Sequence, residues 1–355
     1  MPELTITKTK KSHLNEVDFE NLGFGEIFTD HMFSVDYEAG KFVNPRIEPY
    51  GKIEFEPALC TLHYGQAVFE GMKAFLSKDG SINVFRPEKN LDRMNISNVR
   101  MCIPQIDEDL FFDAMNTLLK LEKDWIPKKK GYSLYIRPFI FGTDSFLGVH
   151  PSKTYRFIII LSPVGAYYKE GFNPVSLWVP EEYVRAVKGG VGNAKTAGNY
   201  AASLLPTRIA NEKGFTQVLW LDGIEHKYID EVGTMNIFFV IDDVMITPPL
   251  EGSILSGITR DTSIQLAKSW GMEVQERRIS IDEVVEASKQ NRLQEVFGSG
   301  TAAVISPVGL IQYKDTTISI NDGEVGPIAK RLFDEITGIQ NGEIPDKFGW
   351  VYNIS

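Results

Sequence analysis

The chain has 355 residues, 43% of them hydrophobic and 24% charged, which is ordinary for a globular protein and long for a single core, so two domains are the default expectation. A count of 47 acidic against 37 basic side chains gives a formal net charge of -10, with the two signs scattered along the chain. This argues against disorder and against a nucleic-acid partner, which needs a basic face.

Residues 1–50 are polar and mixed, with turn signals at Gly23-Phe24-Gly25 and Asn44-Pro45. Residues 61–75 are richer in aromatic and aliphatic side chains around Gly65 and Gly71, and 81–85 alternate like a half-buried strand. Pro87 opens a helix over 88–101, with Leu91, Met94 and Val99 available for its apolar face and Pro104 as its stop. A second amphipathic helix is expected over 110–123, before Pro127, and strands over 132–140 and 155–161. The apolar run Phe157-Ile158-Ile159-Ile160-Leu161 is too short to span a bilayer and reads as a buried strand. Helices and strands mixed without regular alternation suggest an α+β first domain.

The polar stretch before Pro174 reads as a linker, so the expected division is 1–168, a linker over 169–180, and 181–355. The second half holds three Gly-rich turns beside regular elements: 189–192 before a helix to Lys213, 256–259 before a helix to Trp270, and 298–301 between two short strands. Gly214 and Gly271 suit the helix ends, and Pro206 falls inside the first helix, where it removes a backbone donor. Cys60 and Cys102 are far apart and form no CxxC, which argues against a disulfide framework or zinc site. The opening Met-Pro-Glu-Leu-Thr lacks an apolar signal region, so the expected compartment is the cytoplasm.

The stretch Gly189-Gly190-Val191-Gly192-Asn193-Ala194-Lys195-Thr196 is one residue from a phosphate-binding P-loop. Ala194 stands where that loop has glycine, and 183–188 make an unconvincing preceding strand. The other chemistry open to Lys195 is nucleophilic: a neutral lysine forms an imine with an aldehyde cofactor, and nearby glycines let the chain fold around a flat ring that Tyr200 can also reach. Spacing alone also leaves a solvated surface lysine open. Asp230 and Glu231 end an apolar stretch just before a turn, suited either to pairing with a protonated pyridine nitrogen or to capping that turn. The amides of Ile258 and Thr259 at a helix N-terminus form a natural phosphate seat, and 298–302, with Thr301, a second nest of amides. Five dispersed histidines give no metal-ligand spacing, and neither G-x-S-x-G nor G-x-G-x-x-G after a strand is present.

In this order and spacing the segments resemble the branched-chain amino-acid aminotransferases, fold-type IV pyridoxal-phosphate enzymes. The likeness is carried by Leu62-His63-Tyr64-Gly65, Phe69-Glu70-Gly71-Met72-Lys73-Ala74-Phe75, Phe85-Arg86-Pro87, Leu91-Asp92-Arg93-Met94 and Leu134-Tyr135-Ile136-Arg137-Pro138. It continues through Pro163-Val164-Gly165-Ala166-Tyr167, residues 189–200, Glu231-Val232-Gly233-Thr234-Met235-Asn236, Leu255-Ser256-Gly257-Ile258-Thr259-Arg260 and 296–302. It implies an α+β, two-domain chain of the D-amino-acid aminotransferase-like architecture, with pyridoxal 5'-phosphate at the domain interface. The implied reaction is a ping-pong transfer of the amino group of leucine, isoleucine or valine to 2-oxoglutarate.

Carried over by position, Lys195 holds the cofactor as a Schiff base and shuttles the proton. Arg93, chosen over Arg86 and Arg100 by the resemblance alone, binds the phosphate with Ile258, Thr259 and Thr301. Glu231 pairs with the pyridine nitrogen and Tyr200 with the ring O3'. Tyr64, Phe69, Tyr135, Tyr167 and Val149 line the substrate pocket with Thr234, and the amides of Thr301 and Ala302 hold the α-carboxylate. Arg137 at the pocket edge takes the side-chain carboxylate of glutamate. The resemblance implies a homodimer, with Tyr64 and Val149 supplied by the partner. Ala303 and Ser306 stand where some animal members carry a redox-sensitive CxxC pair, so that thiol switch is expected to be absent.

Overall fold

The computed structural model describes residues 3–165 and 172–355. They cluster into two compact units, Met1–Tyr167 with Ala194–Ala197 and Gly338–Ser355, and Tyr168–Asn193 with Gly198–Thr337. In chain order the first unit supplies β1 (Thr5–Ile6), β2 (His31–Glu38), β3 (Lys41–Pro49), β4 (Ala67–Phe69), β5 (Met72–Leu76), β6 (Ile82–Phe85), β7 (Ser133–Gly142) and β8 (Tyr155–Val164). The second supplies β9 (Val175–Trp178), β10 (Gln217–Leu221), β11 (Ile229–Val232), β12 (Asn236–Ile241), β13 (Val244–Thr247), β14 (Val274–Glu276), β15 (Leu293–Gly300), β16 (Val304–Tyr313) and β17 (Thr316–Ser319). The chain closes with β18 (Val351–Ile354). The helices are α1 (Cys60–Tyr64), α2 (Pro87–Arg100), α3 (Glu108–Leu121), α4 (Ala197–Glu212), α5 (Ile258–Ser269), α6 (Ile281–Lys289) and α7 (Pro327–Gln340). Among the described residues no helix is long and apolar enough to cross a membrane.

In the first unit the sheet runs β1-β3-β2-β8-β7-β5-β6-β18, with β4 also paired to β7. Strand period two decides what each face carries. On β7, Leu134, Ile136 and Ile140 are buried in the core with Leu91 and Met94 of α2 and Phe111, Met115 and Leu118 of α3. Tyr135, Arg137 and Phe139 therefore point to the opposite face, where the register sets Lys73 opposite Tyr135 and Phe69 opposite Phe139. Asp107 caps α3 by accepting from the amides of Asp109 and Leu110, and Pro87 begins α2. Val99, expected on the apolar face of α2, is exposed. The additional buried stripe is polar instead: Asn90, Arg93 and Ser97, at helical spacing.

The second unit is built on the sheet β11-β10-β9-β16-β15-β12-β13-β14, with β17 added at β16. Its core gathers Leu177, Leu219, Val232, Ile237, Phe239, Val296, Val308 and Ile311, covered by Val284 and Ala287 of α6.

Three expectations are corrected. The mixed stretch before residue 50 holds three strands, β1 to β3, and Asn44-Pro45 is a β-bulge: Ser34 pairs with Arg46 and Asp36 with Val43, so two residues oppose Val35. Asn44 takes φ 54 there, a left-handed conformation that asparagine tolerates. Gly298-Ser299-Gly300, expected as a turn, is strand, paired with β12 on one side and β16 on the other. Glycine leaves room for packed side chains there: a Cβ on Gly298 would lie 2.9 Å from Met235 Cε and 3.0 Å from Val232 Cγ1. The turn lies at 301–303 instead, so it keeps Thr301 and takes in Ala302 and Ala303, where the sequence suggests strand. Finally, residues 181–355 do not all belong to one unit, because β18 extends the first sheet by pairing with β6. Part of the expected linker is β9, and residues 169–171 lie outside the described residues.

Candidate active site

In the first unit, Lys195 is strapped to β4 and α2. Its amide donates to Ser97 Oγ at 2.9 Å and its carbonyl accepts from the amide of Phe69 at 3.1 Å. Next to it, Thr196 bridges to Val68 and its hydroxyl donates to the Ala67 carbonyl at 2.7 Å. The segment thus lies on β4 like a short extra strand, which fixes where the lysine side chain begins. Lys195 Nζ sits 4.9 Å from the centre of the Phe69 ring, and Arg137 Cζ 4.8 Å from the same ring. Arg137 Nη2 donates to Tyr135 Oη at 3.1 Å. Gly71 completes the group, since a Cβ there would stand 1.9 Å from Tyr135 Oη. Four expected site residues, Lys195, Phe69, Arg137 and Tyr135, are therefore neighbours.

Arg93 reaches this group through a residue to which sequence reasoning gave no role. Glu70 is fully buried and accepts from Arg93 Nε at 2.7 Å and Arg93 Nη2 at 2.8 Å, a two-point fork. It also accepts from Asn90 Nδ2 at 2.8 Å and from the Gly71 amide. Burial alone pushes this carboxyl up; the charge and hydrogen bonds of Arg93, the charge of Lys195 and the Asn90 bond outweigh it, and the carboxyl is held below its ordinary range. The available signal was an acid inside the apolar run Ala67-Val68-Phe69-Glu70-Gly71-Met72, where only a paired charge is tolerated.

In the second unit one cavity is lined by Tyr200, Glu231 and Thr234, all expected site residues, together with Arg185, Asn199, Ser203, Gly233 and Leu255. Glu231 is buried on β11 and forms an ion pair with Arg185, and its Oε1 accepts from Asn236 Nδ2 at 3.1 Å. Asn236 Nδ2 also donates to the Leu255 carbonyl at 2.9 Å, which ties β12 to the turn that starts α5. Helix α5 begins at Ile258 with Gly257 as its N-cap, extended and without a side-chain cap. The first amides of this helix, those of Ile258 and Thr259, thus form the positive end of a helix with the buried Thr259 hydroxyl beside them. No side chain fits on Gly257, where a Cβ would come within 1.9 Å of Asn236 Oδ1. Thr301 and Ala302 lie in the hairpin turn between β15 and β16, which ends on Val304 at φ 64, a strained conformation for a β-branched residue.

Tyr64 and Val149 lie at the surface of the first unit. The Tyr64 hydroxyl donates to the Leu147 carbonyl and its ring stacks on Phe146, while Val149 is 86% exposed. Tyr167 lies outside the described residues. Residues 181–188 form no strand, so the P-loop alternative lacks its first element. Asp230, beside Glu231, lines a different cavity with Tyr228, Ser253 and Arg278. Burial pushes its carboxyl up to about 6, against the pull of the Ser253 hydrogen bond and the Arg185 charge.

Comparison with known proteins gives the family. The family model Amino-transferase class IV matches residues 67–311. The chain is 58% identical to branched-chain-amino-acid aminotransferase 2 of Bacillus subtilis (strain 168), over 99% of this chain and 96% of that one. The crystal structure of the Escherichia coli branched-chain amino acid aminotransferase superposes with a TM-score of 0.77 at 31% identity, covering 92% of this chain and 99% of that one. The T.th. branched-chain amino acid aminotransferase, solved with pyridoxamine 5'-phosphate, gives 0.73 at 28% identity, over 90% of this chain and 98% of that one. The fold, the clustered residues and these relatives lead to one assignment: the chain belongs to the class IV aminotransferases, in the branched-chain amino-acid aminotransferase family.

Proposed function

We propose that this protein moves the amino group of leucine, isoleucine or valine to 2-oxoglutarate, giving the branched-chain 2-oxo acid and glutamate, with pyridoxal 5'-phosphate as its cofactor. The observation that carries this reading is the buried, ion-paired Glu231 in one cavity with Tyr200 and Thr234. A carboxylate that accepts, and a phenol and a threonine hydroxyl that donate, are the partners that a protonated pyridine nitrogen, a ring oxygen and a small carboxylate require. The uncapped N-terminus of α5 suits a phosphate in the same way.

When bound, the cofactor supplies an electron-poor ring that stabilises negative charge at the substrate α-carbon. The roles of the chain follow. Lys195 anchors the cofactor and, once released, takes the α-proton and returns it at the cofactor C4'; its backbone bonds to Ser97 and Phe69 keep the amine directed during that exchange. Glu231 would pair with the ring nitrogen and Tyr200 with the ring O3'. Arg93, the amides of Ile258 and Thr259, and the hydroxyls of Thr259 and Thr301 bind the phosphate. Phe69, Tyr135, Tyr167, Tyr64 and Val149 bury a branched aliphatic side chain, worth roughly 1.5–3 kcal/mol relative to leaving it in water. Thr234 and the amides of Thr301 and Ala302 hold the α-carboxylate. Arg137 pairs with the second carboxylate of glutamate when that substrate occupies the same place.

The proposed assembly is a homodimer in which the partner supplies Tyr64 and Val149. Leu62 and Leu147, neighbours of these residues in sequence, are each 71% exposed, and exposed apolar side chains of this kind suit an interface. The proposed compartment is the cytoplasm, in keeping with free thiols at Cys60 and Cys102.

The test is direct. Purified protein should take up pyridoxal phosphate with a visible absorption band and form glutamate from leucine and 2-oxoglutarate. Lys195→Ala should keep the fold and lose both the band fixed by borohydride and the turnover. Full activity in Lys195→Ala, or a wild-type protein that binds no cofactor, would overturn the proposal.

A further inference from the structure

We infer that Arg185 is a positioning residue for the cofactor, acting on its pyridine ring through Glu231; this deepens the transaminase reading and rests on it. Arg185 lies in the irregular stretch after β9, yet its side chain is only 10% exposed and that of its partner Glu231 only 4%. Two backbone carbonyls hold the guanidinium in place: Nη2 donates to the Gly192 carbonyl at 3.0 Å and to the Ser253 carbonyl. These two segments touch so closely that a Cβ on Gly192 would stand 2.2 Å from Ser253 O. The planar, five-donor head of arginine suits that junction, where Nε lies against a carboxylate and Nη2 donates to two carbonyls; lysine, a point charge on a flexible stem, cannot do both.

The consequence falls on Glu231. Arg185 lies against its Oε2 and Asn236 donates to its Oε1, so the carboxylate is fixed from two sides within the cavity it shares with Tyr200. A buried carboxyl with no positive partner takes up a proton, and a neutral acid is a poor partner for a protonated ring nitrogen. The guanidinium supplies the counter-charge that a buried carboxylate at this position needs. Asn236 orients the carboxylate and brings no charge, while Arg185 brings one.

The test is a double-substitution cycle on the full chain, read as the dissociation constant of pyridoxal phosphate by titration of apoprotein. Arg185→Met should weaken binding about 10- to 100-fold in the wild-type background, the loss expected for hydrogen bonds to a charged group. In a Glu231→Gln background the same substitution should change binding less than about twofold, because the group it acts through is gone. The visible band of the bound cofactor should shift in Arg185→Met, which a merely structural role would not cause. Equal weakening in both backgrounds, or no weakening in either, would overturn the inference. If Arg185→Met is not recovered folded, Arg185→Gln, which removes the charge but keeps a polar amide along the stem, should weaken binding at least about fivefold in wild type and less than about twofold beside Glu231→Gln. Wild-type protein that takes up no pyridoxal phosphate would sink the transaminase reading itself, whereas uptake indifferent to Arg185 would sink only this inference.

Discussion

Removing the Glu70 carboxylate tests the energetics of the Lys195 region. Glu70 is fully buried and supplies the two-point anchor of Arg93 along with bonds to Asn90 and the Gly71 amide. Glu70→Ala leaves a buried guanidinium without its counter-charge, which costs about 3–5 kcal/mol. Counting the bonds instead gives a similar figure, two charge-assisted contacts at roughly 1.5–3 kcal/mol each. For a unit of this size, that lowers the melting temperature of apoprotein by roughly 6–20 °C. The pH dependence has a definite sign. The carboxyl is held below its ordinary value of 4.5, so its contribution is fully present above that value and is lost as pH falls through the lower folded value. The gap between wild type and variant should therefore be constant from about pH 6 to 8 and close under acid. Urea unfolding of apoprotein measures the gap, and amide hydrogen exchange at Phe69, whose amide donates to the Lys195 carbonyl, localises it to the first unit. A Glu70→Ala variant within about 1 kcal/mol of wild type at pH 7 would refute this reasoning.

Further outcomes follow from the same geometry. Asp230→Asn should be more stable than wild type by up to about 3 kcal/mol at pH 8. The Asp230 carboxyl, raised to about 6 from an ordinary 3.8, is cheaply neutral below 3.8 and destabilises the fold as pH rises through 6, so the gain should vanish near pH 4; melts across this range showing a constant gap would contradict it. Gly71→Ala puts a methyl 1.9 Å from Tyr135 Oη, whose ring packs edge-on against Phe24 at 5.1 Å, so it should raise KM for leucine while cofactor uptake stays as in wild type; an unchanged KM would show that Tyr135 yields freely. Arg137→Met should raise KM for 2-oxoglutarate about 10- to 100-fold and leave that for leucine within about threefold, and equal effects on both would remove Arg137 from side-chain carboxylate recognition.

Elements closed by strong local signals are legible in the sequence. Pro87 and Pro104 bracket α2, and the apolar run 157–161 lies within β8. The β2–β3 hairpin is not, because β2 is buried on both faces over His31 to Val35 and shows no simple alternation, while the bulge in β3 places Asn44 and Pro45 where a turn would have them. The Gly298–Gly300 strand reads as a turn for a related reason: its glycines answer to Met235 and Val232, side chains lying far off in sequence. Local chemistry cannot report a neighbour that only the fold brings near.

That limit also shapes what the sequence says of the site. Each unit holds a buried carboxylate–guanidinium pair, Glu70 with Arg93 in the first and Glu231 with Arg185 in the second. In each, resemblance assigns a role to one member, Arg93 or Glu231, and leaves its partner silent. Buried ion pairs are weak contributors to stability compared with well-packed apolar side chains, so stability alone is a poor reason for two of them. Preorganisation gives a better one. A charge already desolvated and aimed when the protein folds meets its ligand without the reorganisation that a solvated side chain would need. On this view Glu70 serves Arg93 as Arg185 serves Glu231, and the silent partners are the means by which the ligand-facing charges are paired and held in place inside a protein.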